Sequence, residues 1–319
     1  MNVAITCELA APLVVAGQAV AFPPAPVPLA ALDLSDAEAL VCLLSDRVDA
    51  ATMARAPRLR VIANYAVGTD NIDIAAATAL GICVLNTPDV LSAATAELAF
   101  ALMLAVARRL GEGERLVRAG QWQGWHPTQL LGVPLAGRRL GIVGMGRIGR
   151  QMAQRALGFG MEVAYAGGRL SDTAARAVGS LDELFAQSDV ISLHCPLTPT
   201  TRLLVNAARL ALLPAHGIVV NTARGDCVDE AALLAALDSG RLFGAGLDVF
   251  TGEPQVNPAL RCHPRVVCAP HLGSATVDAR AQMVELLADG MAHVLAARPS
   301  APPRNLVNPN VWAMRRGVA

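Results

Sequence analysis

The sequence predicts an α/β protein built from two doubly wound, parallel-sheet, Rossmann-like domains with a cleft between them. Three observations carry that prediction. The chain has 319 residues, enough for two domains that each bury a core. Short β-branched runs alternate with alanine-rich, helix-like stretches, in two successive series. The second series opens on Leu140 to Gly149, an apolar strand that breaks into Gly144-x-Gly146-x-x-Gly149 and runs on as a helix.

In the first series the strands are Val3 to Thr6, Val41 to Ser45, Val61 to Tyr65 and Cys83 to Asn86. Pro23 to Pro28 reads as a loop. A long helical stretch, about Ser92 to Ala119, follows, then a loop rich in Trp, Gly and Pro from Gly120 to Pro134. The second series runs from Leu140 through Val163 to Ala166, Val190 to His194, Ile218 to Asn221, Phe243 to Val249 and Val266 to Ala269. Ser180-x-x-Glu183 fits a capping box, and Gly240 closes a helix over Asp229 to Ser239. The final helix, about Ser274 to Ala297, needs a partner, so the C-terminal segment is expected to return to the first domain. That gives 1–95 plus 286–319 as a discontinuous, flavodoxin-like substrate-binding domain and 96–285 as the dinucleotide-binding domain.

Composition excludes several function classes. Acidic and basic residues balance at 26 each, and the basic ones are scattered, so neither nucleic acid nor an anionic membrane is an expected partner. All 26 basic residues are arginine, which rules out a Schiff-base lysine and a Walker-loop lysine. The apolar run Leu98 to Ala107 is too short to span a bilayer and reads as a buried helix. The N-terminus lacks the basic start and apolar core of a signal peptide, so a cytoplasmic location is expected. The seven cysteines form no Cys-x-x-Cys pair and no zinc-finger spacing, so reduced thiols and no metal are expected.

The chemistry concentrates after strand ends, where open α/β sheets bind ligands. In the glycine motif Gly144 permits the tight turn, Gly146 lets backbone approach a pyrophosphate, and Gly149 lets helix pack on strand. The helix N-terminus offers N–H groups and a positive dipole end to that pyrophosphate. Arg224, Glu253 and His271 each follow a strand of the second series. An arginine fork suits a carboxylate, a histidine titrates near neutrality, and a neighbouring carboxylate orients its ring. Taken singly, Arg224 also reads as a surface arginine, Glu253 as a solvated loop acid and His271 as a loop histidine.

Taken together, these stretches resemble the D-isomer-specific 2-hydroxyacid dehydrogenase family over nearly the whole chain. The resemblance rests on Val67-Gly68-Thr69-Asp70-Asn71-Ile72-Asp73, Asn86-Thr87-Pro88, Ala94 to Ala99, Leu140 to Gly149, His194-Cys195-Pro196-Leu197-Thr198, Asn221 to Gly225, Gly246 to Phe250, Gly252-Glu253-Pro254 and Pro270 to Ser274. It implies that Arg224 binds the substrate carboxylate and carbonyl, His271 is the acid/base and Glu253 pairs with it. It also implies that backbone around Ala66, Val67 and Gly68 holds the carboxylate and that Asp248 contacts the nicotinamide amide. Further coenzyme contacts are implied at Arg147, Ile148, Cys195, Pro196, Thr222, Ala223 and Gly273. Members are typically homodimers joined through the nucleotide domain. The stretches Ile62 to Gly68 and Gly124 to Thr128 look most like glyoxylate/hydroxypyruvate reductases, in which a tryptophan at the place of Trp125 reaches the partner's substrate pocket; a plain interface aromatic is the alternative.

Coenzyme choice is read from the strand beginning at Val163. An NAD site places Asp or Glu about 20 residues past the glycine motif; here stand Gly167, Gly168 and Arg169. Two glycines and an arginine suit a 2′-phosphate, so NADP(H) is expected to be preferred, with NAD(H) usable. The expected activity is NADPH-dependent reduction of a small 2-keto acid, glyoxylate or hydroxypyruvate, to its D-2-hydroxy acid. Rivals are a D-2-hydroxyacid dehydrogenase with a bulkier or phosphorylated substrate, a phosphite oxidiser, and a non-catalytic nucleotide-sensing co-repressor.

Overall fold

The structure, a computed structural model, describes residues 1–168, 174–296 and 301–316. The chain divides into two compact units, Met1–Leu91 with Ala275–Ala319, and Ser92–Ser274. The divisions expected at 95/96 and 285/286 would each cut a helix, because helices begin at Ser92 and Val277. The observed divisions fall beside those helix starts, leaving each rod of hydrogen-bonded backbone whole.

The first unit begins with β1 (Val3–Ile5), a small antiparallel hairpin of β2 (Val14–Val15) and β3 (Gln18–Ala19), β4 (Ala39–Cys42), α1 (Ala50–Ala54), β5 (Val61–Asn64), α2 (Ile74–Ala79) and β6 (Cys83–Leu85). Its sheet is parallel, in the order β1-β4-β5-β6. Both β4 and β5 are buried along their whole length, which is why they read as continuous apolar runs instead of alternating ones. Asp49 and Asp73 cap α1 and α2 by accepting the amides of Thr52 and Ala76. The strand order follows the chain; the reversal expected of a doubly wound sheet belongs to the second unit, since the segment after β1 forms the hairpin and adds no strand on the far side of β1.

The second unit runs α3 (Ser92–Ala107), α4 (Leu110–Arg118), β7 (Arg139–Val143), α5 (Arg147–Gly158), β8 (Glu162–Ala166), β9 (Arg176–Ala177), α6 (Leu181–Gln187), β10 (Val190–Leu193), α7 (Ala207–Leu210), β11 (Ile218–Asn221), α8 (Glu230–Asp238), β12 (Gly244–Leu247), α9 (Pro258–Cys262) and β13 (Val266–Cys268). Seven parallel strands lie in the order β13-β12-β11-β10-β7-β8-β9. The order reverses between β7 and β10, the crevice where such sheets bind ligands. Alternate side chains of the strands feed two cores. Val143, Ile191, Leu193 and Val219 join Leu184, Phe185 and Leu233 on one face. Leu140, Ile142, Val190 and Val220 join α3 and α5 on the other.

The helix expected over about Ser92 to Ala119 is two. Arg109 takes a left-handed φ of 53°, and its guanidinium grips Glu112 with two 2.8 Å bonds at the start of α4. The break has a physical cause. The Ala/Leu/Met-rich α3 is buried against the sheet, whereas the charged α4 with Gly111 and Gly113 buries no side chain. The chain then returns to the first unit as α10 (Val277–Leu295), which lies on β2, β5 and β6, and α11 (Asn310–Arg316) against α2. Between them Leu306 bridges Leu85, and Val307 N donates to Val84 O at 2.8 Å. Among the described residues, no helix is long and apolar enough to cross a membrane.

Candidate active site

The three motif glycines differ in their surroundings. Gly144 has φ +96°, a Cβ on Gly149 would lie 2.4 Å from Gly144 O, and a Cβ on Gly146 would meet nothing within 4 Å. The last leaves open space at the N-terminus of α5, which has no side-chain cap. Beside it Gly144 N and Met145 N donate to Ala166 O and Gly167 O at 2.9 and 2.8 Å, so β8 delivers Gly167 and Gly168 directly to the motif. Two buried atoms at the carboxyl ends of β10 and β11, His194 Nδ1 and Thr222 Oγ1, have no protein partner. Open space at a helix N-terminus without a side-chain cap and an orphaned hydroxyl fit a dinucleotide. Arg147, Ile148, Gly149, Cys195, Pro196, Thr222 and Ala223 all lie on this edge. Arg169 lies outside the described residues.

Arg224, Glu253 and His271 come together on one edge, through devices the sequence reading did not assign. Asn221, 1% exposed, ends β11 and folds the chain back: its Oδ1 accepts Ala223 N at 2.9 Å and its Nδ2 donates to Arg224 O at 2.8 Å. Arg224 therefore starts a tight turn, Gly225–Cys227. A Cβ on Gly225 would lie 2.0 Å from Phe250 C, so this turn leans backbone to backbone on the loop that carries Glu253. That loop is tied down by Glu230 of α8, whose Oε1 accepts Thr251 N at 2.9 Å.

Glu253 Oε1 accepts Phe250 N and Oε2 meets His271 Nδ1, both at 2.8 Å. Burial pushes the Glu253 carboxyl up, but hydrogen bonds from His271 and Phe250 N and the charges of His271 and Arg224 outweigh it, leaving it below its ordinary value. A carboxylate only accepts, so His271 Nδ1 is the donor and Nε2 is the nitrogen free to exchange a proton with a ligand. His271 sits at a left-handed φ of 55°, held by its N–H on Asp248 O at 2.9 Å. Asp248, 1% exposed, accepts Leu272 N at 2.6 Å and Gly273 N at 2.8 Å; burial raises its carboxyl to about 6. His194 donates or accepts at Ser192 Oγ, 2.9 Å away, and burial lowers it to about 4.

Ala66, Val67 and Gly68 follow β5 in the first unit, Ala66 buried and the other two half-buried. Trp125 stands 83% exposed in the loop after α4, with Trp122, Leu110, Val117 and Leu131 also exposed on that segment.

Residues 100–273 match the family model "D-isomer specific 2-hydroxyacid dehydrogenase, NAD binding domain". A glyoxylate reductase of Thermococcus litoralis is 48% identical over 284 residues, covering 86% of this chain and 85% of that enzyme. A solved protein of Thermus thermophilus superposes with a TM-score of 0.85 at 43% identity, over 96% of this chain and 100% of that one. An NADPH-dependent glyoxylate/hydroxypyruvate reductase of Sinorhizobium meliloti, solved with NADP and malonate, gives 0.79 at 34% identity, over 87% and 86%. The family match and the glyoxylate reductase relative make this chain an NAD(P)-dependent dehydrogenase. The chain belongs to the D-isomer-specific 2-hydroxyacid dehydrogenase family, on its glyoxylate reductase-like side, and acts on a small-molecule acid.

Proposed function

We propose that this dehydrogenase reduces glyoxylate or hydroxypyruvate to the D-2-hydroxy acid with NADPH, as a cytoplasmic homodimer. The observation that carries the reading is the His271–Glu253 pair at 2.8 Å beside Arg224, in a chain 48% identical to a glyoxylate reductase. A nicotinamide coenzyme on the Gly144–Gly149 edge supplies the hydride to the keto carbon. His271 Nε2 gives its proton to the carbonyl oxygen as charge builds there, and Glu253 holds the resulting ring through Nδ1. Arg224 pairs with the carboxylate and the carbonyl oxygen, and the backbone of Ala66, Val67 and Gly68 takes the rest of the carboxylate. Asp248, through its acceptor oxygens, is assigned to the nicotinamide amide, and Cys195, Pro196, Thr222, Ala223 and Gly273 to the remaining coenzyme contacts.

NADPH preference is supported by the absence of an acid in Gly167-Gly168-Arg169 and by the NADP bound in the Sinorhizobium meliloti relative. Charge-assisted hydrogen bonds contribute about 1.5 to 3 kcal/mol, so NADPH should exceed NADH by roughly 10- to 150-fold in kcat/KM. The test is coenzyme oxidation with glyoxylate, hydroxypyruvate, pyruvate and phenylpyruvate, using both coenzymes, on the wild type and Arg169→Ala. The reading expects small acids to win and Arg169→Ala to lose NADPH use while keeping NADH use. A preference for phenylpyruvate or for NADH overturns the corresponding half.

A further inference from the structure

The loop after β5 is turned by asparagines to which the foregoing mechanism gives no part. Three successive carbonyls are tied back: Ala66 O accepts Thr87 N at 3.0 Å, Val67 O accepts Asn86 Nδ2 at 2.7 Å, and Gly68 O accepts Asn64 Nδ2 at 2.7 Å. The peptide bonds of this loop are trans, and in a trans peptide the N–H points opposite to the C=O of the same plane. The Val67 and Gly68 amides therefore face away from Asn86 and Thr87, and the Thr69 amide faces away from Asn64. Val67, Gly68 and Thr69 are half-buried, so these amides are not sealed in the core.

Neither asparagine is free to swing. Asn64 is fully buried, and its Oδ1 accepts from Cys42 Sγ at 3.5 Å and from Asn71 Nδ2 at 3.2 Å, which commits its Nδ2 to Gly68 O. Asn71 is anchored in turn on Leu43 O and Asp46 O at 3.0 and 3.1 Å. The backbone of Asn86 is clamped both ways by Asn305: Asn86 N donates to Asn305 O at 3.2 Å, and Asn305 Nδ2 donates to Asn86 O at 3.0 Å. A carbonyl turned outward at Val67 or Gly68 would present a negative dipole to an anion where these side chains present N–H groups.

We infer that Asn86 and Asn64 are positioning residues: they hold the Val67 and Gly68 carbonyls back and so set the backbone amides of Gly68 and Thr69, beside the Val67 amide that Thr87 N sets through Ala66 O, as the donors for the substrate carboxylate. This inference rests on the proposed reduction of a 2-keto acid. Neither asparagine touches the substrate; each acts through a peptide plane.

The test compares wild type with Asn86→Ala and the near-isosteric Asn86→Asp, each loaded with NADPH. Two readouts are taken: oxalate binding by calorimetry, and the ratio of kcat/KM for glyoxylate over its uncharged methyl ester. Losing one such bond is expected to weaken oxalate binding and lower the acid/ester ratio about tenfold, the effect of ~1.4 kcal/mol. Asn86→Asp should fall further, and coenzyme KM should stay within about twofold, a split that a merely structural role would not produce. Oxalate binding and an acid/ester ratio unchanged in both variants overturn the inference, as does a wild type that binds no oxalate. A wild type whose oxalate binding depends on Asn86 but which reduces no keto acid upholds the inference and overturns the function instead.

Discussion

His271 stands in a backbone region that most side chains avoid, at φ 55°, and asparagine is among the few residues that tolerate it. His271→Asn is therefore the substitution that removes the proposed proton donor with least disturbance of the chain, and it should lower kcat by about 10²- to 10⁴-fold with coenzyme affinity unchanged. Stopped-flow turnover near wild type in a folded variant would falsify the acid/base assignment. Two other buried groups act on stability in opposite senses over one acidic window. His194, lowered to about 4 from 6.5, stays neutral in the fold while the unfolded chain takes up a proton, so its contribution is lost as pH falls from 6.5 through 4. Asp248, raised to about 6 from 3.8, takes up its proton in the fold first, so stability from it is gained as pH falls from 6 towards 4. Each amounts to roughly 3 kcal/mol at most. Relative to wild type, Asp248→Asn should steepen the acid loss of the urea midpoint and His194→Asn should flatten it; variants with slopes equal to wild type would show that these groups do not titrate as described.

At the scale of elements, the site depends on two loops whose backbones meet at Gly225. Gly225→Ala puts a methyl into the Phe250 carbonyl carbon and must part the turn carrying Arg224 from the loop carrying Glu253. Overpacking of this kind costs about 1 to 3 kcal/mol, and kcat/KM for the keto acid should fall more than about tenfold through displaced side chains. Melting temperature and kinetics measured side by side check it; an unchanged kcat/KM would mean the two loops move independently. Most strands were legible because a strand buried on both faces needs an apolar run, as at Ile218 to Asn221, whose ends agree with β11. The break at Arg109 was not, since it depends on an arginine fork closing on Glu112 and on what α4 fails to bury. The meeting of Arg224, Glu253 and His271 on one edge was legible from their strand-end positions, whereas the bonds made by Asn221, Glu230, Asn64 and Asn86 were hidden: a side chain that ties down loop backbone leaves no periodicity in a sequence.

For the whole molecule, the proposed homodimer needs apolar surface to cover, and Leu110, Val117, Trp122, Trp125 and Leu131 are exposed in α4 and the loop after it. Trp125→Ala should lower kcat/KM for glyoxylate relative to phenylpyruvate if the partner's tryptophan closes the pocket; a fixed ratio, or active monomers by sedimentation, would sink that idea. The discontinuity of the first unit matters for how the protein is made. Its sheet has all four strands by Leu85, yet β5 and β6 are covered by α10, and Val84 and Leu85 are paired by residues 306–308. The ribosome delivers those pieces only after the whole second unit, so the unit that starts first closes last. A nascent chain stopped after Ser274 should hold a protease-resistant second unit beside a digestible leader, and the long wait leaves an apolar sheet exposed to whatever chaperone meets it.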